Sequence, residues 1–254
     1  MHLRDILLFP AGITDSCRYA SSFLEKSGIP ATDHPTPEIT HLLLDIPSFD
    51  ASGKLRDGSD LNELLRMLPQ DITVLGGNLD LHIPPGYSTA DLLKDDYFLA
   101  KNAAITAECA LRAAAPHIPF SFADSHPLVL GWGRIGKHLT RILSAMGSAV
   151  TVAARKESDR AMLCSLGYHA VDFPDVPKIL ADCQLLFNTV PAQPLDAALL
   201  DLCKNCIKFD LATAPGMVCQ DVIPVRGLPG KYAPESAGRL IAQTVRKLLK
   251  EDFS

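Results

Sequence analysis

The chain has no surplus of positive charge: 24 lysines and arginines stand against 29 aspartates and glutamates, a formal net charge of -5. The cations are scattered, so no nucleic-acid surface is expected and the charge serves mainly solubility. Long apolar runs are also missing. The N-terminal stretch from Met1 to Pro10 is too short for a signal-peptide core, and no other run approaches bilayer length, which leads to the expectation of a cytoplasmic protein. There is no internal repeat and no low-complexity linker. The seven cysteines are an odd number, better suited to reduced thiols than to a disulfide framework. Cys203 and Cys206 form a C-x-x-C that could be redox-active or half of a metal site. No second pair lies at finger spacing, however, so buried, inert thiols are the expectation. The eight histidines are dispersed without H-E-x-x-H or a comparable pair, and no metal is expected.

What is present is a glycine pattern in a telling place. An apolar strand, Pro127-Leu128-Val129-Leu130, runs directly into Gly131-Trp132-Gly133-Arg134-Ile135-Gly136, which is G-x-G-x-x-G. Gly131 suits a tight turn, Gly133 keeps a Cβ away from a pyrophosphate, and Gly136 lets the following helix pack closely. That helix is readable from Ile135, Leu139, Ile142, Leu143 and Met146 on one face, with Gly147 as its stop and a second strand at 149–154. The unpaired N–H groups of its first turn would face the phosphates.

The end of the second strand bears on the cofactor. About 20 residues after the glycines an NAD site usually carries an acid for the ribose 2′-OH, whereas an NADP site carries a cation for the 2′-phosphate. Here the residues are Arg155 and Lys156, so NADP(H) is preferred. NAD(H) stays open, with Glu157 reaching the ribose and Arg155 a solvated strand end.

At 254 residues the chain has room for two modest domains. Residues 1–98 read as a smaller α/β substrate or subunit domain with strands at 6–9, 41–46 and 72–75 and helices at 14–27 and 61–68. Residues 99–235 read as the dinucleotide-binding domain, with further strands at 168–171, 185–189 and 207–211. An alanine-rich helix at 102–115 links the two, and a last helix from Ser236 is expected to cross back onto the first domain. The fold class is therefore α/β: a doubly wound parallel sheet of Rossmann type with a second, smaller α/β domain.

In such sheets ligands sit beyond the carboxyl ends of the strands. Three segments there are candidates: Asn188-Thr189-Val190-Pro191, then Asp210-Leu211-Ala212 continuing through Gly216, and the run 227–238, read as a rigid loop entering a helix N-terminus. Asn102 is expected at the start of the linker helix, with Thr106 and Glu108 on its first turns facing an interdomain cleft. Lys231 and the amides before Ser236 could bind a carboxylate. Glu108, Lys231 and Glu235 are the candidate catalytic residues, with Glu235 or Lys231 serving as acid or base if the closed cleft moves its pKa toward neutrality. Glu108 and Glu235 read equally well as first-turn acids held by the helix dipole.

Taken together, N-A-A-I-T-A-E at 102–108, V-L-G-W-G-R-I-G at 129–136, Ala154-Arg155, Asn188 to Pro191, Asp210 to Ala212 and G-L-P-G-K-Y-A-P at 227–234 resemble the family of dipicolinate synthase A subunits over roughly residues 90–245. The first 80 or so residues match only loosely. The resemblance implies an NAD(P)-dependent oxidoreductase subunit with the architecture of D-2-hydroxyacid dehydrogenases. Its implied partner is a flavoprotein-like B subunit, its implied substrate a dihydro- or hydroxytetrahydro-dipicolinate, and its product pyridine-2,6-dicarboxylate; a homodimer stays open. Aromatisation would drive the reaction. The protein would align ring and cofactor, hold two carboxylates and supply a base.

Two other dehydrogenase types are weighed against this. A D-2-hydroxyacid dehydrogenase needs a histidine ahead of the last helix, where this chain has Lys231-Tyr232-Ala233-Pro234-Glu235-Ser236. A shikimate-type enzyme would use a lysine after a strand of the first domain, and neither Lys54 nor Lys94 is so placed. A non-catalytic NADP(H)-binding regulatory subunit would carry the same glycine loop.

Overall fold

A computed structural model describes residues 6–203, 205–212, 216–217 and 221–251. The chain divides into two compact units, one formed by residues up to Asn102 together with the segment from Pro229 onward, the other by Ala103–Leu228.

The first unit is built on a parallel sheet of β1 (Leu8–Pro10), β2 (His41–Leu43), β3 (Thr73–Gly76) and β4 (Ser88–Asp91), paired in that order. Helix α1 (Asp15–Lys26) starts where the Thr14 side chain accepts the Cys17 N–H, and α2 (Leu61–Arg66) where Asp60 accepts that of Asn62. Leu42, Leu44, Leu65, Ile72 and Val74 are buried together with Phe9 and Phe49 in its core. Strand β4 was not expected from the sequence, and it overturns the expectation for Lys94, which lies three residues after a strand. As an edge strand of Ser-Thr-Ala-Asp it buries no apolar face, so no alternation marks it. The strand expected at 41–46 ends at Leu43, ahead of the turn through Ile46-Pro47.

Helix α3 (Asp96–Ala114) corrects a second expectation. It begins six residues before Asn102, because the Asp95 carboxylate accepts the Phe98 N–H at 2.7 Å and sets the start there. Asn102 is therefore inside the helix, and Thr106 and Glu108 are far beyond its first turns.

The run 227–238 is not a loop throughout. It holds a single helical turn, α7 (Leu228–Tyr232), and then α8 (Pro234–Glu251), which opens on a proline suited to the first helical position. Helix α8 packs along α1 at Gly238, where a Cβ would lie 2.5 Å from the Tyr19 Cβ and 2.6 Å from the Ser16 carbonyl oxygen. Lys247 of α8 also donates to the Asp95 carboxylate at 2.9 Å.

The second unit carries β5 (Pro127–Leu130), α4 (Arg134–Ala145), β6 (Thr151–Ala153), α5 (Glu157–Ser165), β7 (His169–Val171), β8 (Leu185–Asn188), α6 (Ala197–Leu202), β9 (Ile207–Asp210) and β10 (Val222–Pro224). All pairs are parallel, in the order β10-β9-β8-β5-β6-β7. That is the doubly wound order, with β5 first and the reversal between β5 and β8. The central strands β5 and β8 are buried along their whole length, as expected for a sheet covered on both faces. The short edge strand β10, Val222-Ile223-Pro224, also escaped the sequence reading, because three residues closed by a proline are too few to show a period. Among the described residues no helix is long and apolar enough to cross a membrane.

Candidate dinucleotide site

The glycine loop lies at the carboxyl end of β5, beside the point where strand order reverses. Its three glycines have different reasons to be there. Gly131 has φ +101°, and a Cβ on it would meet Thr189 Oγ1 at 2.8 Å and Val190 Cγ2 at 2.9 Å. At Gly136 a Cβ would lie 2.2 Å from the Gly131 carbonyl oxygen, so the close turn of loop into helix excludes any side chain. Gly133 has ordinary dihedrals, φ -82° and ψ -172°, and a Cβ there would meet nothing within 4 Å. The chain's own packing gives no reason for that glycine; a pyrophosphate approaching the backbone does.

Helix α4 supports the same fit. Its N-cap is Gly133, no side chain caps it, and no acid lies in its first turn. The N–H groups and positive end of a helix dipole thus face outward at the loop. Arg134 is exposed and Ile135 half-buried. Trp132, the single tryptophan of the chain, lies 6.2 Å from the Tyr168 ring, with Lys137 Nζ 5.7 Å from its own ring centre.

The side chains of Asn188 and Thr189 are spent on the protein. Thr189 donates through Oγ1 to the Leu130 carbonyl at 2.8 Å and so holds the base of the glycine loop. Asn188, fully buried, donates to Asp210 Oδ1 at 2.9 Å and to the Val190 carbonyl at 3.1 Å, while accepting the Val190 N–H. Val190 is half-buried and Pro191 exposed. Leu211 and Ala212 are buried, and the Ala212 N–H donates to Asp210 Oδ1. Of the segment reaching Gly216, Thr213, Ala214 and Pro215 lie outside the described residues.

Arg226 was missed in the sequence. Its guanidinium donates to Asp210 Oδ2 at 2.7 Å and to the Asp210 carbonyl, so the buried carboxylate is answered by a cation and two N–H donors. The only signal was a lone arginine shortly after an unrecognised strand. Gly216 abuts the same carboxylate.

At the end of β6, Arg155 and Lys156 are exposed, as is Glu157 in the first turn of α5. Arg160, on α5, donates to the carbonyls of Ala154 and Arg155 at 2.8 and 2.7 Å and sits 3.2 Å from Asp172. It fixes the strand end from which Arg155 projects.

The remaining candidates are divided between the units. In the second, Thr106 is buried and Glu108 exposed on α3. In the first, Asn102 is half-buried on α3, Lys231 is exposed at the end of α7, and Ser236 is exposed on the first turn of α8. Glu235 accepts from Arg239 at 2.9 Å across one helical turn.

Residues 105–204 match the model of the D-isomer specific 2-hydroxyacid dehydrogenase, NAD binding domain. The A subunit of dipicolinate synthase from Bacillus subtilis (strain 168) is 28% identical over 169 residues, which span 63% of this chain and 57% of that protein. The crystal structure of the same subunit from Bacillus halodurans superposes with a TM-score of 0.84 at 23% identity, covering 98% of this chain and 99% of that one. The crystal structure from Bacillus subtilis gives 0.81 at 21% identity, covering 97% and 95%. The chain is therefore similar to the A subunits of dipicolinate synthase, and its second unit has a Rossmann-type fold that over residues 105–204 matches the NAD binding domain of the D-isomer specific 2-hydroxyacid dehydrogenases.

Proposed function

We propose that this chain is the dehydrogenase subunit of a dipicolinate synthase, oxidising a dihydro- or hydroxytetrahydro-dipicolinate to pyridine-2,6-dicarboxylate together with a flavoprotein-like B subunit. The observation that carries the oxidoreductase reading is Gly133, where a Cβ would meet nothing in the protein and would face a ligand at the α4 N-terminus. The similarity to the dipicolinate synthase of Bacillus subtilis supports the choice of substrate.

In this reading Gly131, Trp132, Gly133, Arg134, Ile135 and Gly136 hold the pyrophosphate of NADP(H) at the α4 N-terminus. Arg155 and Lys156 face the 2′-phosphate. Asn188, Thr189, Val190 and Pro191 act from beneath, locking the loop through Leu130 and aligning Asp210. Asp210, Leu211 and Ala212 form the floor on the nicotinamide side, with Arg226 fixing the Asp210 carboxylate in place. The bound nicotinamide supplies a two-electron acceptor. Lys231 and Ser236 bind substrate carboxylate through an ammonium and a hydroxyl, and Asn102 and Thr106 give further polar contacts. Among the acid/base candidates, Glu235 is committed to Arg239, so Glu108 and Lys231 are the residues to test first.

The test is dipicolinate formation from the aspartate-semialdehyde–pyruvate condensate and NADP+, using the chain alone and with a B subunit. Product requiring the nicotinamide, and lost in Gly133→Asp, supports the reading. Tight NADPH binding without product under any combination would replace it with a regulatory cofactor-binding protein or a dehydrogenase of another substrate.

A further inference from the structure

The C-x-x-C has a third member that the sequence did not reveal. Leu185 pairs with Ile207, so the segments entering β8 and β9 run side by side. Ahead of those strands, Cys183 and Cys206 place their Sγ atoms 3.4 Å apart. The Cys206 N–H donates to the Cys203 carbonyl at 3.0 Å, which keeps the two residues of the C-x-x-C together, and the Cys203 thiol donates to the Leu200 carbonyl at 3.2 Å. The three side chains are buried, at 7, 3 and 5% exposure for Cys183, Cys203 and Cys206.

Beside them Lys208, with no exposed surface, donates to the Cys206 carbonyl at 3.2 Å and to Asp221 at 2.5 Å. Hydrogen bonding from Cys206, reinforced by the Lys208 charge, outweighs burial and brings the Cys203 thiol down to about 7. The Cys206 thiol is pushed up, first by its contact with Cys183. The Cys203 thiol is thus the one of the pair drawn toward ionisation, beside a Cys206 thiol held protonated.

We propose that Cys183 and Cys206 are an oxidation site, joined in a disulfide when the protein meets a two-electron oxidant of the peroxide class. The Cys203 thiolate attacks a peroxide oxygen; an S–O bond forms, the O–O bond breaks, and the leaving oxygen departs as water with the proton supplied by solvent. Cys206 sulfur attacks the resulting sulfenic sulfur, forming S–S and releasing the second oxygen as water, with the Cys206 proton. Cys183 then attacks Cys206 Sγ and gives up its proton to solvent, while Cys203 departs as thiolate, the better leaving group because its pKa is lower. The net change is two thiols oxidised to one disulfide and one peroxide reduced to two waters. The bond ties the amino ends of β8 and β9, at the opposite end of the strands from Asn188 and Asp210, so it stabilises the sheet and leaves the glycine loop alone.

Hydrogen peroxide treatment of the full chain followed by non-reducing tryptic mapping tests this. Cleavage after Lys178, Lys204 and Lys208 gives one peptide with both Cys183 and Cys203 and a second with Cys206. The expected product joins the two peptides, fragmentation places the bond on Cys183, and thiol reductant reverses it. Oxidised protein melts several degrees higher, with NADPH affinity unchanged. C203S slows the bond without moving it, and C183S accumulates a Cys203–Cys206 bond instead. The proposal fails if Cys206 stays free under conditions that oxidise the exposed Cys164, or if Cys206 in the wild-type product is bonded to any cysteine but Cys183.

Discussion

A methyl group at position 133 would touch nothing in the protein, whereas one at position 136 would drive into the Gly131 carbonyl at 2.2 Å. The two glycines are thus separable by experiment. Gly133→Ala is expected to change unfolding free energy by no more than about 0.5 kcal/mol while weakening NADPH binding about tenfold or more, about 1.4 kcal/mol. Gly136→Ala is expected to lose about 1–3 kcal/mol of stability through overpacking. Denaturant unfolding reads the first quantity, and fluorescence of the single tryptophan, Trp132 in the loop itself, reads the second. At the strand end, Arg155→Ala with Lys156→Ala is expected to cut NADPH affinity about tenfold or more, the loss of at least one charge-assisted hydrogen bond, and to leave NADH affinity nearly unchanged. Equal losses for both cofactors would remove the NADP preference. At this scale the sequence showed the glycines and the cations, because their spacing from a strand is local. It could not show that Asn188 turns to Asp210 or that Arg226 answers that carboxylate, since those partners meet only when β8, β9 and the segment after β10 are laid side by side.

Between elements, α8 meets α1 through a close glycine contact and reaches the α3 cap through the Lys247–Asp95 ion pair. Gly238→Val would place branched carbons where even a Cβ lies 2.5 Å from Tyr19. Separation of α8 from α1 is expected, with a loss of about 1–3 kcal/mol, visible as faster amide exchange along both helices. The ion pair carries a pH signature. Burial raises the Asp95 pKa, but the Lys247 ammonium and the Phe98 N–H outweigh it, and the carboxyl sits below its ordinary value. A depressed folded pKa means that the contribution is complete above the unfolded value, near pH 4, and is lost as pH falls through the folded value. The stability difference between wild type and Asp95→Asn should therefore be constant near neutrality, under about 1 kcal/mol because Lys247 is partly exposed, and should shrink below about pH 4. A difference that grows on acidification would contradict it. The cap on α3 also explains why the helix start was misplaced: the alanine-rich pattern from Asn102 onward is the conspicuous part, while the residue that sets the boundary is a single aspartate just ahead of the helix's first turn.

For the whole molecule, two units with separate cores imply that cofactor stabilises them unequally. NADPH at about 100 times its dissociation constant is expected to add about 2.7 kcal/mol to whatever unfolds with the glycine loop. Exchange protection should rise within Ala103–Leu228 and be absent in Gly133→Asp; equal protection across the first unit's sheet would show that the units unfold as one. The sequence by itself determined the α/β class, the parallel sheet and the glycine loop, because strand–glycine–helix succession and apolar periodicity are properties of neighbouring residues. Tertiary structure alone decided the rest. It set the strand order with its reversal between β5 and β8, added the edge strands that bury too little to leave a pattern, brought Arg226 to Asp210, and placed Cys183 against Cys206. Each of these depends on which segments the sheet makes neighbours, and parallel pairing joins residues that are far apart along the chain.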